Sequence, residues 1–410
     1  MIRKLQFLII VIVLLVASFA TGLPFLFFIV YVSLLGVGGS FVLTRFGLAD
    51  LEAGYRVDHR QGHVGDDLRA TYSISNTGGL PKPWLEVYNP TDLPVALPGR
   101  ALGLGSWAQR QWIAIVPLTR RGTYRIEPMV VRTGDPFGFF EAAATVGRPT
   151  VVTVFPKVVP LPRWRLPNAN LEGTHSAPER TLQTTPLATT VRPYAPGDSF
   201  NRIHWRSTAR LGEIQVKEFD LEQTADVWLF VDLDGAVQAG EGDISTVEEG
   251  LRVAASIAHD AILENRAVGV TTSGHRLVSL PADRGPRQRQ KIMQLLAAVE
   301  GDGRSSLAEV LLAGVPQLRR GMTAVVITAS SDWHWVRALS GLRGRGVAAV
   351  VIALDAESYE LATGRGSVAS RQASDQEVGQ GQRALRFSLA ESDLKTYVVS
   401  AGDDLGTVLA

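Results

Sequence analysis

Hydrophobic and polar positions divide this chain into stretches of different period. From Leu5 to Leu43 the sequence is unbroken by Asp, Glu, Lys, Arg or His. That run is about twice the roughly 20 residues that one helical membrane span requires. It breaks at Thr21-Gly22-Leu23-Pro24, which predicts a short span from Leu5 to Ala20, a full span from Pro24 to Leu43 and a tight turn between them. So short a turn makes the two helices antiparallel. The first half alone has features of a signal peptide, with Arg3 and Lys4 before an apolar core and Ala17 and Ala20 as small residues at its end. The second run would still be a span after cleavage, which favours two helices. Arg3, Lys4 and Arg45 flank the pair and the turn carries no charge, so both ends and the soluble part that follows are expected in the cytoplasm.

Beyond Arg45 the period changes. From 50 to about 150, short alternating runs are separated by turn signals at Gly65-Asp66, Asn76-Thr77-Gly78-Gly79, Pro98-Gly99, Arg121-Gly122 and Gly134-Asp135-Pro136. Trp112, Ala114 and Val116 fall on one strand face, as do Tyr124 and Ile126, then Met129 and Val131. A small antiparallel sandwich is expected. Residues 151 to about 190 are rich in proline and read as a linker over a domain surface. From about 225 apolar strands alternate with helices. Strands are expected at Val227–Asp232, Ala267–Thr271, Ala324–Thr328, Val347–Leu354 and Tyr397–Val399, with helices at Thr246–Asn265 and Arg287–Val299. This predicts a mainly parallel sheet covered on both faces. Residues 362 to 382, rich in Gly, Ser and Gln, read as a mobile insertion.

Composition changes this picture little. The formal net charge of +1 gives no basic footprint, so no nucleic-acid partner is expected. With no cysteine, disulfides, thiolate metal sites and cysteine nucleophiles are excluded. There is no Gly-x-Ser-x-Gly elbow, no phosphate-binding Gly-rich loop with Lys, and no His-Glu-x-x-His pair. His59 and His63 are four apart in a strand-like stretch and read as two surface histidines. Gly301-Asp-Gly303 is too short a glycine signal to count as a motif. The chain is expected to be non-catalytic.

Two constellations remain. In the segment from Val191 to Gly212, Asp198 is a suitable N-cap and Gly212 a suitable helix stop. Arg202, Arg206 and Arg210 lie four apart between them, so one helix would set three guanidinium groups on one face. Such a face suits a phosphate or a carboxylate-bearing partner. The competing expectation is an internal brace with Glu213, Glu218, Asp220 and Glu222, and Trp205 as a core anchor. The second constellation is Asp232-Leu-Asp234-Gly-Ala236 at the end of the first strand of the α/β part, where ligands of open α/β sheets bind. Asp232 and Asp234, with Ser305 or Ser306 and Asp332 from later loops, could hold Mg or Ca through oxygen. The competing expectation is an ordinary strand-to-helix turn.

Three groups of residues resemble the domain of unknown function 58 family. The first is Arg120-Arg-Gly-Thr-Tyr-Arg-Ile-Glu-Pro128 followed by Asp135-Pro-Phe-Gly-Phe-Phe140. The second is Arg192, Tyr194, Gly197, Asp198, Arg202, Trp205, Arg206, Arg210 and Lys217, with Ile203, His204, Ala209 and Val216. The third is the two-helix N-terminus. The resemblance implies a membrane anchor, a β-domain and a von Willebrand factor A-like (Rossmann-type) α/β domain. It also implies association with an AAA+ ATPase of the MoxR type. The metal site of such domains reads Asp-x-Ser-x-Ser, then a Thr and an Asp from later loops. Here Asp232 keeps the first position, Asp234 and Ala236 replace the serines, Ser306 stands for the Thr, and the acid near Asp332 is displaced. The expected architecture is a transmembrane hairpin (1–46), a β-sandwich-like domain (47–150), a proline-rich linker with the signature segment (151–224) and the α/β domain (225–410). The expected function is a membrane-anchored adaptor or scaffold docking a MoxR-type ATPase. The alternatives are a divalent-cation-dependent hydrolase at Asp232 and Asp234, or a structural cell-envelope protein.

Overall fold

The computed structural model describes residues 2–164, 190–195, 198, 200–218, 226–364, 385, 387–392 and 394–410. Most of the proline-rich stretch, most of the Gly/Ser/Gln-rich insertion, Gly197, Asp220 and Glu222 lie outside these. The chain forms two compact units. One comprises Met1–Val159 with Gln290–Val299, and the other Pro160–Arg289 with Glu300–Ala410.

The first unit begins with helices α1 (Ile2–Thr21) and α2 (Pro24–Gly47). α2 is long and apolar enough to cross a membrane, whereas the apolar stretch of α1, Gln6–Thr21, is shorter. Gly22 turns the chain at φ +65°, a conformation open to glycine, and Pro24 starts α2 where its missing N–H costs nothing. Small buried residues, Ser18 and Ser40, let the helix backbones approach, and the rings of Phe19 and Phe27 meet edge-on at 5.3 Å. At the other end of α2, Lys82 is 2% exposed and its Nζ donates to Phe46 O at 2.7 Å. A cation there is a second donor to a last-turn carbonyl that also accepts the Ala49 amide at 3.2 Å, and it complements the helix dipole.

Ten strands follow: β1 (Leu51–Val57), β2 (Gln61–His63), β3 (Asp67–Asn76), β4 (Lys82–Tyr88), β5 (Arg100–Leu104), β6 (Gln109–Pro117), β7 (Gly122–Ile126), β8 (Met129–Gly134), β9 (Glu141–Val146) and β10 (Thr150–Phe155). They form sheets ordered β1-β3-β6, β2-β10-β7 and β5-β4-β8-β9. Inward residues of all three sheets, among them Leu68, Ile74, Leu85, Ile126, Met129 and Val152, share one core. The alternation read from Trp112 to Val131 is the inward face of β6, β7 and β8. The sequence expectation erred at β10, which was assigned to the linker. Val152 and Val154 are fully buried, and β10 pairs parallel to β2 and antiparallel to β7. His59 is exposed, while His63 is half-buried, with Nδ1 2.9 Å from Pro156 O.

In the second unit, β11 (Thr190–Pro193), α3 (Trp205–Leu211) and β12 (Gln215–Glu218) hold the signature segment. The rest alternates: β13 (Val227–Val231), a small hairpin β14 (Gly240–Glu241) and β15 (Ile244–Ser245), α4 (Thr246–Leu263), β16 (Val268–Ser273), β17 (Leu277–Asp283), α5 (Gly285–Ala298), of which the residues from Gln290 onward belong to the first unit, α6 (Leu307–Gly314), β18 (Thr323–Thr328), α7 (His334–Arg343), β19 (Ala348–Leu354), α8 (Ala356–Ala362) and β20 (Lys395–Val399). One six-stranded sheet runs β17-β16-β13-β18-β19-β20. All its pairings are parallel except β16 with β17. In order of appearance this is 3-2-1-4-5-6, the doubly wound order, whose direction of progression reverses between β13 and β18. Trp228 and Phe230 of β13 pack with α6 and α7 through Leu307, Val310, Trp335 and Leu339. α4 lies against β13, β16, β18 and β19 through a buried stripe that includes Leu251, Ala254, Ala255 and Ala258.

Candidate functional site

The crevice outside the carboxyl ends of β13 and β18 is where this sheet order places a ligand. Asp232 follows β13 there. It is 4% exposed, one oxygen accepting from Thr328 Oγ1 at 2.6 Å and the other from the Asp234 amide at 3.1 Å. Thr328 ends β18, so this bond crosses the switch point. Burial pushes the Asp232 carboxyl up to about 6, against the opposing pull of its two hydrogen bonds. The chain beyond is tied down by Gln238, whose Nε2 donates to Asp232 O at 3.0 Å.

The other expected cation ligands are engaged locally. Asp234 Oδ1 accepts the Ala236 amide at 3.1 Å in an Asx turn. Ser306 caps α6 and forms a capping box with Glu309. Asp332 is exposed, paired with His334 Nδ1 and accepting the His334 amide at 3.1 Å. Burial tends to raise the Asp332 carboxyl, but the His334 bonds and charge prevail and hold it below the usual range. Among the described residues no group of three or more His, Asp or Glu side chains converges as a metal site. The side chains as placed offer Mg or Ca no converging set of carboxylates among the described residues. The strand-to-helix turn is the reading these contacts support.

Gly303 is a feature of this edge that the sequence did not single out. Its amide donates to Leu233 O and its carbonyl accepts from Gly235 N, each at 2.9 Å. A Cβ on Gly303 would stand 2.1 Å from Ser273 O and 2.6 Å from Leu233 O. Only glycine permits this approach of the loop to the ends of β13 and β16. The signal was the Gly301-Asp-Gly303 pair, too brief to read without the strands around it.

The signature segment differs from the expected single helix. Asp198 does not cap it. Its carboxylate makes a two-pronged ion pair with Arg192, both oxygens at 2.8 Å, and accepts the Ala195 amide at 2.9 Å. Arg202 lies on a 3-10 turn (Phe200–Arg202) outside α3. The break falls at Ile203, which is 5% exposed and bridges to Val216 of β12, so a helix through it would withdraw a buried side chain. α3 starts instead at Trp205, with His204 Nδ1 accepting the Ser207 amide at 3.2 Å, and stops at Gly212 in the left-handed conformation (φ +74°). Lys217 sits on β12 opposite Val191, and the rings of Tyr194 and Phe200 stack at 6.1 Å.

Arg206 and Arg210, one turn apart on α3, are both exposed. Among the described residues neither has an ion-pair partner, and Glu213 does not reach them. Trp205 is 69% exposed, so it is no core anchor, and Phe200 (72%) and Leu211 (62%) are exposed with it. The segment therefore presents two exposed guanidinium groups, unpaired among the described residues, beside large apolar side chains, on a short scaffold held by β11–β12 pairing and the Arg192–Asp198 bond.

The architecture is a mixed α/β chain with an apolar N-terminal helix, a β-unit and a doubly wound unit bearing this basic-aromatic segment. The family model "Protein of unknown function DUF58" matches residues 190–396, just over half of the 410 residues, and the chain belongs to that family. It is similar to "Uncharacterized protein YeaD" of Bacillus subtilis (strain 168), 24% identical over 313 residues that cover 74% of each chain. It is also similar to "Uncharacterized protein Rv1480" of Mycobacterium tuberculosis (strain ATCC 25618 / H37Rv), 25% identical over 175 residues, 42% of this chain and 55% of that one. Among solved structures, the CARDB domain of the PF1109 protein from Pyrococcus furiosus matches 26% of this chain and 92% of its own at 17% identity and a TM-score of 0.20, a likeness that carries no argument.

Proposed function

We propose that the protein is a membrane-anchored adaptor that docks an acidic protein partner on the exposed face of α3, the partner being an AAA+ ATPase of the MoxR type. The observation that carries this reading is the exposure of Arg206 and Arg210, without an ion-pair partner among the described residues, beside Trp205. Unpaired guanidinium groups flanked by aromatic side chains have the composition of a protein-binding hot spot, and their fork geometry suits carboxylates. In this reading α1 and α2 form a two-pass anchor with the soluble units in the cytoplasm, and the second unit is von Willebrand factor A-like, as its sheet order supports. Asp232, buried and bonded to Thr328, is left out of the docking surface.

The test is a pull-down of the detergent-solubilised full chain from its native cells, comparing wild type, Arg206→Glu/Arg210→Glu and Asp232→Asn. Wild type and Asp232→Asn are expected to retain an AAA+ ATPase. The charge-reversed variant should lose at least tenfold of it with an unchanged melting temperature, about 1.4 kcal/mol or more of binding free energy. Recovery of no ATPase by wild type would reject this partner. It would turn attention to the β-unit, where Ile113 (60% exposed) and Ile115 (51%) face outward on edge strand β6, as a structural envelope role requires.

A further inference from the structure

The end of the β-unit next to α2 carries more large apolar side chains than its fold uses. The loop Asp135-Pro-Phe-Gly-Phe-Phe140 between β8 and β9 lies along the two helices. Phe139 meets Phe7 of α1 with ring centroids 4.7 Å apart, and Phe140 meets Phe41 of α2 edge-on at 5.5 Å. Phe137 stacks on Phe139 at 5.9 Å, and its ring edge stands 4.0 Å from where a Cβ on Gly36 would be. Phe137 is nonetheless 60% exposed.

Depth follows from helix geometry. Gly36 lies nine positions before Arg45, the first charge after the apolar run, and at 1.5 Å per residue that is about 13 Å. The hydrocarbon layer is about 30 Å thick, so with Arg45 at its boundary Phe137 reaches nearly to its middle. Phe41 lies about 6 Å inside the same boundary.

Irregular backbone at that depth needs its polar groups partnered, and this loop pairs four of its amides within itself. Pro136 has no N–H. The buried Asp135 carboxylate accepts the Phe137 and Phe140 amides, Asp135 O accepts the Gly138 amide at 3.1 Å, and the Asp135 amide donates to Phe140 O at 3.2 Å. The neighbouring turns agree with this placement. Thr77 N donates to Asp50 O at 2.8 Å and Trp107 N to Gly78 O at 3.2 Å, so both turns lie beside the first residues after α2. There Trp107 is 74% exposed and Leu80 57%. Tryptophan is the residue of the membrane–water boundary.

We infer that the Asp135–Phe140 loop is inserted into the lipid bilayer beside α2, with Phe137 against phospholipid acyl chains and Trp107 at the headgroup level. The inference rests on the reading of α2 as a membrane span, and the test separates the two.

The chain has no cysteine, so Phe137→Cys, Leu35→Cys and Ile115→Cys each give one labelling site in the full-length protein. Each is coupled to an environment-sensitive fluorophore and reconstituted in phosphatidylcholine–phosphatidylglycerol vesicles. Leu35, 79% exposed on α2, reports whether α2 is in lipid, and Ile115 on β6 serves as the aqueous reference. The expected result is loss of emission at 35 and 137 with acyl-chain nitroxide lipids, and loss at 115 only with iodide in the buffer. A probe at 137 quenched by iodide and not by the lipid nitroxide, with 35 still in lipid, overturns the inference and leaves the span intact. Iodide quenching at both 35 and 137 overturns the span and the inserted loop together.

Discussion

Asp232 shows how a single buried carboxylate at a strand end is tied to the neighbouring strand. Thr328 Oγ1 donates to its carboxylate at 2.6 Å, and desolvation raises its pKa to about 6. The folded chain therefore holds this proton more tightly than the unfolded chain. The resulting stabilisation is complete below pH 4 and is lost as pH rises through about 6, a change on the order of 3 kcal/mol. Asp232→Asn keeps a polar group of the same shape for Thr328 and the Asp234 amide without the ionisation. It is expected to raise the melting temperature at pH 7.5 and to flatten the decline between pH 4 and 7. A variant that is less stable than wild type at pH 7.5 would show that the ionised carboxylate is required. Residue spacing could not reveal this, because Thr328 and Asp232 are remote in sequence and meet only when β13 and β18 pair. The same limit explains the arginine series. Four-residue spacing from Arg202 to Arg210 fits a helix, but Ile203 is drawn into the pairing with Val216, and that non-local contact delays the start of the helix until after Arg202.

At the scale of elements, periodicity located the strands that carry alternation and the helices that carry an apolar stripe. It missed β10, whose proline-rich neighbourhood masked a strand buried between β2 and β7. It also missed β17, the antiparallel edge strand, whose exposed Leu277 and Val278 give no buried-strand signature. Nor could it show that the carboxyl end of α2 is finished by a side chain from β4. Lys82→Met preserves most of the buried volume and removes the donor to Phe46 O. The change is expected to destabilise the first unit by about 1.5–3 kcal/mol, the worth of a hydrogen bond from a charged donor, since Phe46 O keeps the Ala49 amide, measured by chemical denaturation in detergent. A loss below about 0.5 kcal/mol would mean that water replaces the ammonium group, a small change by the same scale.

At the scale of the molecule, apolar strands alternating with helices made a parallel sheet legible, whereas the order of those strands was not. The 3-2-1-4-5-6 arrangement comes from handed crossovers and sets Asp232 and Thr328 side by side. Membrane orientation is the other property that belongs to the whole chain. With three positive residues flanking the helices and none in their turn, the soluble units are proposed to be cytoplasmic. A membrane-impermeant maleimide should label Ile115→Cys in inverted membrane vesicles and not in intact spheroplasts. Labelling in spheroplasts would place the units on the opposite side.

The connection between α2 and the β-unit has a mechanical consequence. α2 ends at Gly47 and β1 begins at Leu51, a tether of three residues that spans only about 10 Å at full stretch. Lys82 shortens it further by gripping the helix end. Such a joint gives the β-unit no leash on which to swing, so tilting the anchor tilts the unit like a signpost on its pole. With α2 as the proposed membrane span, a partner held in the same membrane would meet this unit at a fixed height above the lipid.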